Sequence, residues 1–215
     1  NDSNGHAPQA IPLPKLYDDH FVKKSDERTE LFQALAAEFK LQRGLYPGCF
    51  THITPSFFIP EMVYVDLDKR CPRFFADDAT LHYVAERKQY AQTPSIKFYH
   101  ADFSTELPET AQSFDLLLSF YAGFISEYCT HYLRPRGILV VNNSHGDGPL
   151  AYLNPHYRLI GVVNRRAEQF KLTFENLDGY FVTKSGKPLD KAEILRSMRG
   201  PGYTKAPYAY IFQKV

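Results

Sequence analysis

Apolar positions along the chain fall into short blocks that switch between helical and strand periodicity. Leu31, Phe32, Leu35 and Phe39 recur at helical spacing behind Ser25, which can cap the helix, and Gly44 marks its end. Leu45-Tyr46 and Met62 to Val65 read as two strands separated by Gly48 and a long glycine-free loop. A helix starts near Pro72, which a first turn tolerates, and runs through Phe75, Leu81, Val84 and Ala85 to about Tyr90. Ser95 to His100 alternates as a third strand. Phe114 to Phe120 is apolar almost throughout, as expected of a strand covered on both faces. Phe124 to Leu133 is helical, Arg134-Pro135-Arg136-Gly137 turns the chain, and Ile138 to Val141 is a fifth buried strand. Strand-like stretches follow at Leu159 to Val163, Phe170 to Phe174 and Tyr208 to Phe212, with a helical segment from Leu189 to Met198.

This alternation, with compact connections, predicts the α/β class: a doubly wound, Rossmann-like sheet whose last strands form an antiparallel edge. Residues 1–16, polar and proline-rich, read as a flexible arm, and 17–215 as a single domain. With 215 residues and 44% hydrophobic content, the chain can bury a full core.

Charge narrows the partners. There are 25 basic and 24 acidic residues, a net charge of +1, with no long run of either sign. Neither nucleic acid nor an anionic membrane is called for, and Lys69-Arg70 and Arg165-Arg166 read as solvated charge. No apolar run approaches the length that spans a bilayer, and Asn1 to His6 has neither the basic nor the apolar part of a signal peptide. Three widely spaced cysteines, Cys49, Cys71 and Cys129, form no disulfide framework, which leads us to expect a reducing, cytoplasmic setting. Composition leaves the oligomeric state open.

Ligands of open α/β sheets sit beyond the carboxyl ends of the strands, where the winding reverses. Gly48, Asp66, Asp102 and the segment Ser119 to Gly123 fall there. Gly48 suits a turn of positive φ or a close backbone approach. The carboxylate of Asp66, 18 residues later, offers paired acceptors to a vicinal diol. Asp102 can accept from an exocyclic amine, with Phe103 beside the ring. Each also has an ordinary role open to it: a turn glycine, a helix cap, a surface turn.

Taken in order, these segments resemble the class I S-adenosylmethionine-dependent methyltransferases. Leu45 to Gly48 is similar to the family's first strand and opening glycine, and Val63 to Asp66 to its second strand and ribose-binding acid. His100 to Phe103 resembles its adenine-binding segment, Phe114 to Ser119 its fourth strand, and Leu133 to Val141 the leucine-turn-glycine approach to its fifth. The resemblance covers roughly residues 32–141. It implies a seven-stranded sheet ending in an antiparallel hairpin, with Tyr208 to Gln213 as the last strand. It further implies S-adenosyl-L-methionine as cofactor, held by Gly48, Asp66, Asp102, Phe103 and Ser119, and methyl transfer to a small-molecule acceptor.

The chain departs from that pattern at one place. The family usually carries an acid just before its first glycine and two more glycines soon after. Here Tyr46-Pro47 precede Gly48, and Cys49, Phe50, Thr51 and His52 stand in the space kept open for the methionine part of the cofactor. The hydroxyls of Thr51, Thr54 and Ser56 are candidates to replace lost contacts to its carboxylate. Two functions therefore stay open: methyl transfer, or a catalytically silent nucleoside-binding or scaffold protein. An α/β enzyme using another nucleotide is a weaker third.

Transfer needs the two reacting centres aligned and, for some acceptors, a proton removed. His145, Asp147 and Tyr121 are the strand-end candidates, with His145 preferred as base. Each also has a structural reading, a turn histidine, a helix cap and a packing ring. Cys49 and His52 form a Cys-x-x-His pair that His100 or His145 could approach, well short of a zinc site or a nucleophile with an oriented base. No phosphate loop, complete nicotinamide fingerprint or nucleophile elbow is present.

Overall fold

A computed structural model describes residues 12–215. Most of the expected N-terminal arm, residues 1–11, lies outside the described residues. The rest of it belongs to the fold: Leu13 and Leu16 pack on the main core beside a short helix α1 (Lys15–Tyr17), which continues as a π-helical turn over Asp18–Val22.

Eight strands form one sheet: β1 (Arg43–Pro47), β2 (Glu61–Asp66), β3 (Ser95–His100), β4 (Phe114–Ser119), β5 (Leu133–Val141), β6 (Tyr157–Arg166), β7 (Gln169–Thr173) and β8 (Ala209–Lys214). Their order is β3-β2-β1-β4-β5-β8-β6-β7. The first five are parallel, while β8 runs antiparallel between β5 and β6, and β7 pairs antiparallel with β6. The doubly wound sheet with an antiparallel C-terminal edge is thus present, with eight strands rather than seven. The extra strand is β7, because Phe170 and Leu172 extend the sheet and help cover α2 (Thr29–Glu38).

Alternation along the central strands feeds two cores. Tyr46, Met62, Tyr64, Leu116 and Leu118 face one layer, and Leu45, Val63, Val65 and Leu117 face the other. Asp115, in the fully buried β4, accepts the backbone N–H groups of Gln42 and Arg43 at 3.0–3.2 Å, fixing where β1 begins.

Several boundaries differ from expectation for identifiable reasons. Ser25 does not cap α2: it has φ 50, and the residue before the helix is Arg28, itself left-handed at φ 56 with no side-chain cap. The helix ends at Glu38, and Gly44 lies inside β1, where an added Cβ would sit 2.5 Å from the Met62 sulfur. The helix expected over 72–90 is two, α3 (Cys71–Ala76) and α4 (Asp78–Arg87), because Asp77 leaves helical geometry and caps α4 by accepting the Ala79 N–H. The segment 124–133 holds α5 (Ile125–Cys129) and a 3₁₀ turn, and β5 already starts at Leu133 with a register shift against β4. Asp147 to Leu153 forms α6, and Lys191 to Ser197 forms α7.

Candidate functional site

Strand order reverses between β1 and β4, and the chain leaves both strands into one cleft of about 580 Å³. Gly48, Cys49 and Phe50 line it from β1, Asp66, Leu67 and Asp68 from β2, Ala101, Asp102 and Phe103 from β3, and Tyr121 and Ala122 from β4. The sequence therefore located five of its eight site residues on this wall: Gly48, Asp66, Asp102, Phe103 and Tyr121.

Gly48 has φ +65, and a Cβ there would lie 2.0 Å from the Ala122 Cβ. Its missing side chain makes room for the β4 loop. Asp66 holds the next turn together, with Oδ2 accepting the Phe50 N–H and Oδ1 the Asp68 N–H, both at 2.8 Å. Each oxygen keeps a second lone pair. Asp102 accepts both the N–H and the hydroxyl of Ser104 on Oδ1, and those bonds hold its pKa below the usual carboxylate value.

The loop after Gly48 turns inward rather than filling the cleft. Thr51, His52, Ile53 and Thr54 are fully buried, and Ser56 nearly so. Their polar groups are used in the core. Thr51 donates to the Leu16 carbonyl, Thr54 pairs with the Tyr17 hydroxyl at 2.6 Å, and Ser56 pairs with the Tyr64 hydroxyl at 2.6 Å. None of the three hydroxyls expected to meet a cofactor carboxylate is therefore directed to that task. His52 stacks on Phe21 at 4.6 Å, with Tyr46 Oη 2.8 Å from Nδ1 and the Glu27 carbonyl 2.8 Å from Nε2. Burial, then the nearby Arg28 charge, push His52 well below its ordinary pKa, and burial pushes the Cys49 thiol well up. Both are neutral packing groups, and Cys49 Sγ points at the Phe50 and Val65 carbonyls. Among the described residues, no three His, Cys, Asp or Glu side chains come together as a metal site would require.

Ser119, His145 and Asp147 do not line the cleft. Asp147 is buried and accepts the Ser119 hydroxyl at 2.6 Å, together with the N–H and hydroxyl of Ser126. It ties β4, α5 and α6 together, and burial raises its pKa to about 6. His145 is half-buried, its Nδ1 2.9 Å from the Ser144 hydroxyl.

Three cleft residues had no signal in the sequence. His20 packs edge-on against Phe50 at 4.9 Å, and the Arg70 guanidinium lies 4.6 Å from the same ring. Arg28 is the third. It is only 4% exposed, with its guanidinium 5.0 Å from the Phe120 ring and 5.6 Å from the Tyr121 ring. Its neighbours Lys23, Lys24, Asp26, Glu27 and Glu30 make the segment read as solvated charge.

No protein-family model matches the chain, and no curated protein matches it. Solved structures do. A methyltransferase from Geobacter sulfurreducens is 13% identical, with a TM-score of 0.48 over 78% of this chain and 92% of that one. The N-methyltransferase NodS of Bradyrhizobium japonicum, in complex with S-adenosyl-L-homocysteine, is 14% identical, with a TM-score of 0.44 over 77% and 90%. The [4+2]-cyclase SpnF is 20% identical, with a TM-score of 0.41 over 55% and 44%. The chain spans 48%, 44% and 52% of three of the solved chains it matches, about half their length. At these identities any likeness concerns fold, and the strand order above rests on this chain's own pairing. Among the described residues, no helix is long and apolar enough to cross a membrane.

Proposed function

We propose that the cleft binds an S-adenosyl nucleoside and serves methyl transfer to a small acceptor. The observation that carries the reading is the pair Asp66 and Asp102, at the ends of neighbouring strands on one wall of the cleft, with Phe103 beside them. Asp66 retains acceptor capacity for a ribose diol, and both Ser104 bonds fall on Asp102 Oδ1, so that among the described residues Oδ2 is left to accept from a base amine. The cleft volume lies within the roughly 300–1,000 Å³ of small-molecule sites. The residues present thus fit such a group.

Held there by Asp66 and Asp102, the cofactor would supply an electrophilic sulfonium methyl for transfer to a nucleophilic acceptor. The chain's own part is alignment of the two centres, which fixed side chains do best. Tyr121, exposed on the cleft lining, is the side chain we assign to meeting the acceptor. Where the acceptor must shed a proton, His20 is the cleft-wall side chain suited to take it, because His145 and Asp147 lie elsewhere.

A second reading, nucleoside binding without turnover, is favoured by Gly48, whose open space is filled by Ala122. Calorimetry with S-adenosylmethionine and S-adenosylhomocysteine tests the first step. Binding of at least one supports the cleft assignment, and no binding by folded protein removes both readings. Transfer of labelled methyl to an acceptor in a metabolite mixture separates the two.

A further inference from the structure

Arg28 is a buried cation with incomplete pairing. Nε donates to the Asp26 carbonyl at 3.3 Å and lies 3.6 Å from Asp26 Oδ1. Nη1 is buried and has no hydrogen-bond partner among the described residues. Asp26 cannot neutralise it fully, because the same Oδ1 lies 3.4 Å from Nη1 of Arg165. Two guanidiniums thus share one carboxylate, leaving about one positive charge at this end of the cleft.

The surroundings are aromatic. Phe120 and Tyr121 stand against the guanidinium, and its charge acts on Tyr208, whose buried hydroxyl also has no hydrogen-bond partner among the described residues. Buried charges and hydroxyls of this kind are normally hydrogen-bonded, and leaving them unmade costs more than a good bond gains. Asp66 and Asp102 line the same cleft, so it carries acidic groups as well as this cation.

We infer that Arg28, with Tyr121 over it and Tyr208 behind it, is an anion subsite and that the ligand reaching it carries a carboxylate. A single uncompensated charge and one guanidinium fork suit a monoanionic planar group, whereas a phosphate dianion would call for more cations. Tyr121, 53% exposed, is the ring that must move aside for the anion to reach Nη1. The carboxylate has two sources: the amino-acid end of the nucleoside ligand, or the acceptor.

The first test needs no nucleoside, so it can fail separately from the proposed function. Acetate is titrated at constant ionic strength, with neutral acetamide as control. The readouts are the thermal midpoint and the ¹⁵N guanidinium resonance assigned to Arg28. Acetate is expected to shift both in the wild type and acetamide neither. Arg28→Met should lose the midpoint shift, Arg28→Lys keep part of it, and Tyr121→Ala strengthen it. An unmoved Arg28 resonance, or equal effects of acetate and acetamide, overturns the inference without requiring any variant to fold.

A second arm identifies the source. If S-adenosylhomocysteine loses about tenfold or more in Arg28→Met while 5′-methylthioadenosine, lacking the amino-acid end, does not, the nucleoside ligand brings the carboxylate. If acetate still moves the Arg28 resonance at saturating S-adenosylhomocysteine, the acceptor brings it.

Discussion

Gly48 and Ala122 occupy one volume: a methyl at Gly48 would sit 2.0 Å from the Ala122 Cβ. The loops leaving β1 and β4 are locked together at the point where strand order reverses. Gly48→Ala also meets a backbone at φ +65. It should lose about 2–4 kcal/mol in urea denaturation, from overpacking plus left-handed strain. Ala122→Gly in the same chain should recover the packing part and leave roughly 1 kcal/mol. Additive losses would show that the two residues do not compete.

Asp66 serves both the turn and, in the proposed function, the ligand. Asp66→Asn keeps the shape and acceptance of the Phe50 or Asp68 N–H but removes the charge. It should weaken S-adenosylhomocysteine by about 1–3 kcal/mol in calorimetry, the worth of charge-assisted bonds, with the fold intact by circular dichroism. Unchanged affinity would take the diol contact away from Asp66.

Asp147 makes stability depend on pH in an unusual direction. Its folded pKa of about 6 lies above the ordinary 3.8, so the folded protein binds the proton more tightly than the unfolded chain. The contribution is complete below about pH 4 and is lost as pH rises through 6, a change of roughly 3 kcal/mol. Asp147→Asn should flatten that part of a series of denaturation curves between pH 4 and 7. An unchanged slope would assign it to other groups.

Arg165 bridges the β6–β7 hairpin to the segment that carries Arg28, donating to the Ser25 carbonyl at 3.2 Å and pairing with Asp26 at 3.4 Å. The pair is partly exposed, so Arg165→Ala should cost under about 1 kcal/mol globally. Amide exchange at residues 23–28 should nevertheless quicken, since a tether has gone. Equal protection in both proteins would mean that Arg28 is held by its own packing.

All eight stretches read as strands are strands, because their apolar pattern, alternating or continuous, is decided locally by how many sheet faces each must cover. Their order then brought Gly48, Asp66, Asp102, Phe103 and Tyr121 to one cleft without knowledge of any side-chain contact. Boundaries failed where a single residue overrode the period, as Asp77 does by capping α4. Ser119 and Asp147 were found as strand-end polar groups, but the sequence does not show that they satisfy each other. Arg28 was illegible for a different reason. Its burial is imposed by Phe120, Tyr121 and Tyr208, roughly 90 to 180 residues away in the chain.

The buried loop after Gly48 also acts as a keystone. His52, Thr51 and Thr54 are the partners of Phe21, Leu16 and Tyr17, so the N-terminal segment leans on these three side chains. Glycines placed there one at a time would hollow out that support, and loop and N-terminal segment would loosen as one unit.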